Sequence, residues 1–180
     1  MLMSSNSLKI HGMKIKVYID TNIFLYAMLH HPEFGNTCEE IVRDIGKKLF
    51  LSTGSNLVAM EILGVLSKID PSKARKAAND YYKLSLEELV IDPTVIDFAG
   101  AINEAVNIRY DGIHAAVMLM NDVDTIITND TDNWKKLSNH FKEIIPIIID
   151  KSLSFVGSQL KVITPKNYSK WKETIMTTTN

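Results

Sequence analysis

Four acidic residues, Asp20, Glu61, Asp111 and Asp130, carry the chemistry this sequence could do. Asp20 ends the run Val17-Tyr18-Ile19, which is made of good strand formers. Thr21 and Asn22 follow and can cap the helix that Ile23 to Leu29 begins. A negative charge is therefore expected at the carboxyl end of a strand, beside a helix N-terminus, where open α/β sheets bind their ligands. Glu61 interrupts the apolar run from Leu57 to Leu66. On a helix its neighbours are Leu57, Val58, Gly64 and Val65, all without charge. It points inward or towards a cleft, unless it lies on a partly exposed edge of a buried helix. An ionised carboxylate buried alone is costly, so a metal or a basic partner is expected. Asp111 opens the helix in Arg109-Tyr110-Asp111-Gly112-Ile113-His114, where capping explains an aspartate as well as ligation does. His114 lies one turn on, on the same face, and is read as a supporting group. Asp130 ends the strand Thr125 to Thr128, as Asp20 ends the first. Asp132 reads first as an acid favoured by a helix dipole and only second as a further ligand.

Two like charges ~4 Å apart repel by about 4 kcal/mol at an effective dielectric of ~20. Four converging carboxylates call for divalent cations, and an oxygen-only donor set favours Mg²⁺ or Mn²⁺, one ion or two, over zinc. Such ions activate water and clamp a phosphodiester. They would also let a chain of net charge −1 accept a polyanion.

Strands alternating with helical runs must position these acids. The pattern implies βα units and a mainly parallel sheet covered on both faces. The expected strands are Lys16 to Ile19, Leu49 to Ser52, Glu88 to Ile91, Thr125 to Thr128 and Leu160 to Ile163. Ile144 to Ile149 is expected as an extra strand or a buried extended segment. Asp70-Pro71 and Asp92-Pro93 each signal a cap followed by proline at the first helical position. Asn36 or Thr37, with Glu39 or Glu40 three residues on, signals a capping box, and Thr131 signals a cap. Thr53-Gly54-Ser55 is expected to start the helix that carries Glu61. The chain of 180 residues, 46% apolar and 23% charged, suits one globular domain. Residues 1–12 are expected as a leader, 13–165 as the domain and 166–180 as a tail. Cys38 is the only cysteine, which excludes an intrachain disulfide and fits a reducing cytoplasm. No apolar run reaches the ~20 residues of a membrane span.

In order and spacing, Ile19-Asp20-Thr21-Asn22, the helical Glu61, Asp111-Gly112-Ile113-His114-Ala115-Ala116 and Ile127-Thr128-Asn129-Asp130 resemble the PIN-domain nucleases. Within that family the chain looks most like the toxins of prokaryotic VapBC-type toxin–antitoxin pairs and their stand-alone archaeal relatives. The resemblance implies a three-layer α/β/α sandwich with a parallel sheet of about five strands. It implies that Asp20, Glu61, Asp111 and Asp130 bind Mg²⁺ or Mn²⁺, with Asp132 optional and Thr21, Asn22, Thr128 and His114 in support. It implies endoribonuclease activity through ion-activated water, a small antitoxin partner and a homodimer. Asn133-Trp134 departs from the family pattern, where an aspartate-phenylalanine pair is common.

Lys73, Arg75 and Lys76 form a basic cluster, and Arg109 stands beside Asp111, so these four are weak candidates for RNA phosphate contacts. The competing reading is a catalytically silent module that binds RNA or protein. A third, a phosphotransferase built on a strand-terminal aspartate, lacks the second aspartate, because Asn22 stands there.

Overall fold

The computed structural model describes residues 15–142, 144 and 159–178. Five strands make one parallel sheet: β1 (Lys16–Ile19), β2 (Leu51–Ser55), β3 (Glu87–Leu89), β4 (Thr125–Ile127) and β5 (Lys161–Ile163). Their order is β3-β2-β1-β4-β5. Helices α1 (Thr21–Met28) and α2 (Gly35–Gly46) join β1 to β2, and α3 (Asn56–Ser67) and α4 (Pro71–Tyr81) join β2 to β3. Helices α5 (Pro93–Val106) and α6 (Asp111–Leu119) carry the chain from β3 across to β4, and α7 (Asp132–Asn139) follows it. A 3₁₀ turn at Pro165–Asn167 leads into α8 (Tyr168–Thr178). The helices pack in consecutive pairs: α1 with α2, α3 with α4, α5 with α6. This is the α/β/α sandwich that the sequence implies.

The apolar runs of the central strands explain the arrangement. Val17, Tyr18, Ile19, Ile126 and Ile127 are fully buried, so both faces of the sheet are covered. The path out of β1 goes to β2 and β3, and the path out of β4 goes to β5 on the other side. The carboxyl ends of β1 and β4 therefore flank the switch point of the sheet, where a crevice opens.

The second strand differs from its expected place. It runs Leu51–Ser55, so Thr53, Gly54 and Ser55 are strand residues and the helix starts at Asn56. Pairing overrides composition here: Tyr18 stands opposite Thr53, which stands opposite Glu87. Thr53 Oγ1 donates to the Val17 carbonyl at 3.2 Å. Gly54 is required, because a Cβ there would meet the Tyr81 hydroxyl at 2.2 Å. β3 is also earlier and shorter than expected, ending at Leu89 rather than Ile91. Of the segment 144–149, only Ile144 is described, and it is helical and buried. The leader 1–12 lies outside the described residues.

The proline-led caps form as read. Asp70 accepts from Ser72 and Lys73 N–H groups at 3.0 and 3.1 Å, and Asp92 accepts from Val95 N–H at 2.9 Å. Three other caps do not. Helix α2 starts at Gly35 without a capping box. His31 Nδ1 takes the Glu33 and Phe34 N–H groups instead, each at 3.2 Å, and Glu39 is drawn away to His30 at 2.9 Å. Thr131 makes no side-chain cap to α7. Asp20 itself, not Thr21 or Asn22, occupies the cap position of α1.

Residues expected as a tail form α8, held to α2 by a buried charge. Asp44 is 2% exposed and accepts from Lys172 Nζ at 2.5 Å and from the Tyr168 hydroxyl at 2.9 Å. Lys172 also reaches Glu40 at 2.9 Å. Tyr168 is fully buried, and its hydroxyl pKa is pushed up by burial and by Asp44. Lys172→Ala, which leaves Asp44 with the Tyr168 hydroxyl and the exposed Lys47 at 3.8 Å, is expected to lower unfolding free energy by about 2 kcal/mol in urea titrations.

Candidate active site

Asp20 follows β1 and is 6% exposed. Its Oδ1 accepts from the Thr21 N–H at 2.7 Å. Its Oδ2 accepts from Asn22 Nδ2 at 2.6 Å and from Thr128 Oγ1 at 2.5 Å. Asn22 also donates to Thr128 Oγ1 at 3.0 Å and accepts from the Asn129 N–H at 3.0 Å. Thr128 Oγ1 in turn accepts from the Asp130 N–H at 3.0 Å. The switch point is thus stitched across β1 and β4 by short polar side chains, and these bonds orient the Asp20 carboxylate. None of its donors carries a positive charge.

Glu61 comes from α3 and is held by one oxygen. Its Oε2 accepts from the Thr21 hydroxyl and from His114 Nε2, the latter at 3.1 Å. Its side chain remains 31% exposed, so it lies on the partly exposed edge of α3. His114 is almost fully buried. Its Nδ1 meets the Tyr18 hydroxyl at 2.8 Å, and that hydroxyl meets Ser55 Oγ at 2.8 Å. A continuous chain, Ser55–Tyr18–His114–Glu61–Thr21, therefore runs from the end of β2 through β1 and α6 to α3 and α1. Tyr18 and Ser55 escaped the sequence reading because a tyrosine in an apolar strand reads as core.

Asp111 is the first residue of α6 rather than its cap, and Tyr110 at the cap position makes no side-chain bond. Asp111 Oδ2 accepts from Asn133 Nδ2 of α7 at 2.7 Å. Asp130 is exposed just beyond β4, and Asp132 is exposed in the first turn of α7. Lys73 pairs with Asp70 at 3.4 Å and Lys76 with Asp80 at 2.5 Å, each on or beside its own helix. Arg75 and Arg109 are exposed, and Arg109 has a left-handed backbone with φ 57°.

The acids sense one another. Burial raises the Asp20 carboxyl above the usual carboxylate range, and the Glu61 charge adds to it, against the pull of His114 and Thr128. Burial likewise raises Asp111, with the charges of Asp20 and Asp130 adding. Glu61 differs: burial pushes it up, but the His114 and Thr21 bonds outweigh burial and hold it low. Burial pulls His114 down, and the Glu61 bond with the Asp20 charge more than reverses that. Among the described residues, no lysine or arginine forms an ion pair with any of the four acids. Their oxygen chemistry and surplus negative charge fit a hard divalent cation. Among the described residues, no three acidic, histidine or cysteine side chains are close enough together to hold an ion as they stand. Cys38 is buried and its thiol pKa is pushed up to about 12, which disqualifies it as a nucleophile.

Two outcomes follow from these charges. Ionising Asp111 in the metal-free protein opposes burial and like charge, so Asp111→Asn is expected to raise stability by about 1 kcal/mol and the melting temperature in chelator by ~2–4 °C. The Glu61–His114 pair behaves oppositely. The Glu61 contribution is present above its ordinary value of 4.5 and fades as pH falls through its lowered pKa. The His114 contribution is present below its ordinary 6.5 and fades as pH rises through its raised pKa. The stability lost in His114→Ala should be greatest between those values, as urea unfolding at a series of pH values will read.

The family model of the PIN domain matches residues 17–139, well over half of the 180 residues. A search of functionally curated proteins gives no match. Among solved structures, the chain is similar in fold to one chain of the crystal structure of VapBC2 from Rickettsia felis bound to a DNA fragment from their promoter. The two share a TM-score of 0.54 and 17% identity over 68% of this chain and 92% of that one. With its five-stranded parallel sheet, the chain belongs to the PIN-domain family.

Proposed function

We propose that the chain is a Mg²⁺- or Mn²⁺-dependent endoribonuclease. The observation that carries this reading is Asp20, buried at the switch point with only neutral hydrogen-bond donors among the described residues, and Asp111 beside it is raised by burial and by the Asp20 charge. PIN domains are generally nucleases. Asp20, Glu61, Asp111 and Asp130 would hold the ion, with Asp132 in reserve. Once bound, it supplies Lewis acidity to a water and to the phosphodiester. The chain's own part is positional. Thr21, Asn22 and Thr128 orient Asp20, and His114 orients Glu61. Glu61 Oε1 and Asp111 Oδ1 accept no hydrogen bond from the described residues and stay available to a ligand. Arg109, exposed next to Asp111, is the best placed cation for a substrate phosphate. Lys73, Arg75 and Lys76 serve as weaker contacts.

The reading extends to partners. The Rickettsia felis neighbour is a VapBC pair, and a small antitoxin is the partner we assign here. A groove of about 400 Å³ between α1, α2 and α4, lined by Phe24, Ala27, Met28, Val42, Tyr81 and Leu84, offers it an apolar seat. Exposed Met60 and Leu63, one turn apart on α3, offer a face to a second copy in a homodimer. No helix among the described residues is long and apolar enough to cross a membrane, and the proposed workplace is the cytoplasm.

Purified protein should cleave single-stranded or structured RNA with Mn²⁺ and not with chelator. Asp20→Asn should lose at least ~100-fold in rate. Equal cleavage by wild type and Asp20→Asn in saturating Mn²⁺ would overturn the assignment. No heat of Mn²⁺ binding in calorimetry would assign a silent RNA- or protein-binding module instead.

A further inference from the structure

Asp111 is delivered by a loop whose backbone does not hold itself. Between α5 and α6 the chain passes through Asn107 and Arg109, both left-handed, with φ 49° and 57°. That region costs a non-glycine residue about 1–2 kcal/mol. Asn103, on α5, grips the loop on both sides. Its Nδ2 donates to the Arg109 carbonyl at 2.9 Å, and its Oδ1 accepts from the Ile108 N–H at 3.0 Å. Its backbone carbonyl accepts from the Asn107 N–H at 2.8 Å. The same Arg109 carbonyl accepts from the Gly112 N–H at 3.0 Å, in the first turn of α6. Asn103 therefore shares an acceptor with the helix that begins at Asp111.

Gly112 shows how tightly the amide fits. A Cβ at Gly112 would stand 2.6 Å from Asn103 Nδ2, and its three nearest neighbours are all atoms of the Asn103 amide. The glycine leaves room for one side chain only. A leucine of similar size at 103 would fill the space but satisfy neither loop group.

We propose that Asn103 is a positioning residue for Asp111: by pinning Ile108 and Arg109 it sets where the Asp111 carboxylate enters the site, and Gly112 is bare so that it can. The proposal builds on the reading of Asp111 as a metal ligand. Asn103 itself touches no other acid of the site and acts through the loop.

The test compares Asn103→Ala, Gly112→Ala and the double variant with wild type, using full-length protein well below the melting temperature. Each is read by Mn²⁺ affinity in calorimetry, by kcat and KM on RNA, and by the Asp111 side-chain carbon resonance in metal-free protein. Asn103→Ala should shift that resonance, weaken Mn²⁺ about 10-fold and lower kcat while KM for RNA holds. Gly112→Ala should do the same by displacing the amide. The double variant should be no worse than Asn103→Ala, because the new methyl then has space, so the two losses are not additive. An unmoved Asp111 resonance in Asn103→Ala, fully additive losses, or a lower melting temperature with unchanged Mn²⁺ affinity each overturn the proposal. If wild type binds no Mn²⁺, the ligand reading fails alone, and the resonance in metal-free protein still decides the positioning role.

Discussion

The structure turns on one buried carboxylate that has no cation of its own. Asp20 sits where β1 and β4 part, a place fixed by the strand order, and its oxygens meet only neutral donors. Those donors come from both sides of the switch: Thr21 and Asn22 after β1, Thr128 after β4. Neutral donors orient a carboxylate without cancelling its charge. A lysine there would satisfy the charge and close the site to a ligand. Hydroxyl and amide groups keep the geometry and leave the charge as the attraction for what binds.

The same arrangement carries a stability cost, and the fold meets it elsewhere. Burial raises Asp20 and Asp111, so each works against the metal-free native state when ionised. Glu61 escapes this by accepting from His114 Nε2, and the far nitrogen of His114 is engaged by Tyr18. The dense core of β1, β4 and α6 supplies compensating burial, since every residue from Ala115 to Leu119 is buried. Elsewhere in the fold, Asp44 and Lys172 fasten α8 to α2. The anchoring of α8 and the chemistry proposed for the switch point thus rest on different charges.

Much of this was legible in the sequence, and the exceptions share a cause. β1 and β4 were plain because continuous apolar runs mark strands buried on both faces. The Asp-Pro caps were plain because the chemistry is local. β2 was misplaced because Leu-Ser-Thr-Gly-Ser has no apolar run. Its strand character comes from pairing with β1, and its hydroxyls serve Val17 and Tyr18. The capping box at α2 failed because the helix starts earlier, at Gly35, which puts Asn36 and Thr37 inside it, and His30 takes the Glu39 carboxylate. Tyr18, Asn103 and Asn133 were missed as site residues because their partners lie across the fold or across a loop. Helix spacing marks His114 as support, while Tyr18 and Asn133 act on partners across the fold and leave no local pattern.

Asn133 shows why the distinction matters. It stands where relatives of this family often carry an acid, and it donates to Asp111 Oδ2 at 2.7 Å. A carboxylate ~4 Å from Asp111 would instead add about 4 kcal/mol of repulsion at an effective dielectric of ~20. The amide converts that repulsion into an orienting bond and ties α7 to the start of α6. With Asn103 holding the loop behind and Asn133 holding the carboxylate in front, Asp111 is fixed by two neutral amides, as Asp20 is fixed by Asn22 and two threonines. Asp20 and Asp111 thus follow one rule: each is oriented by neutral groups that leave its charge intact.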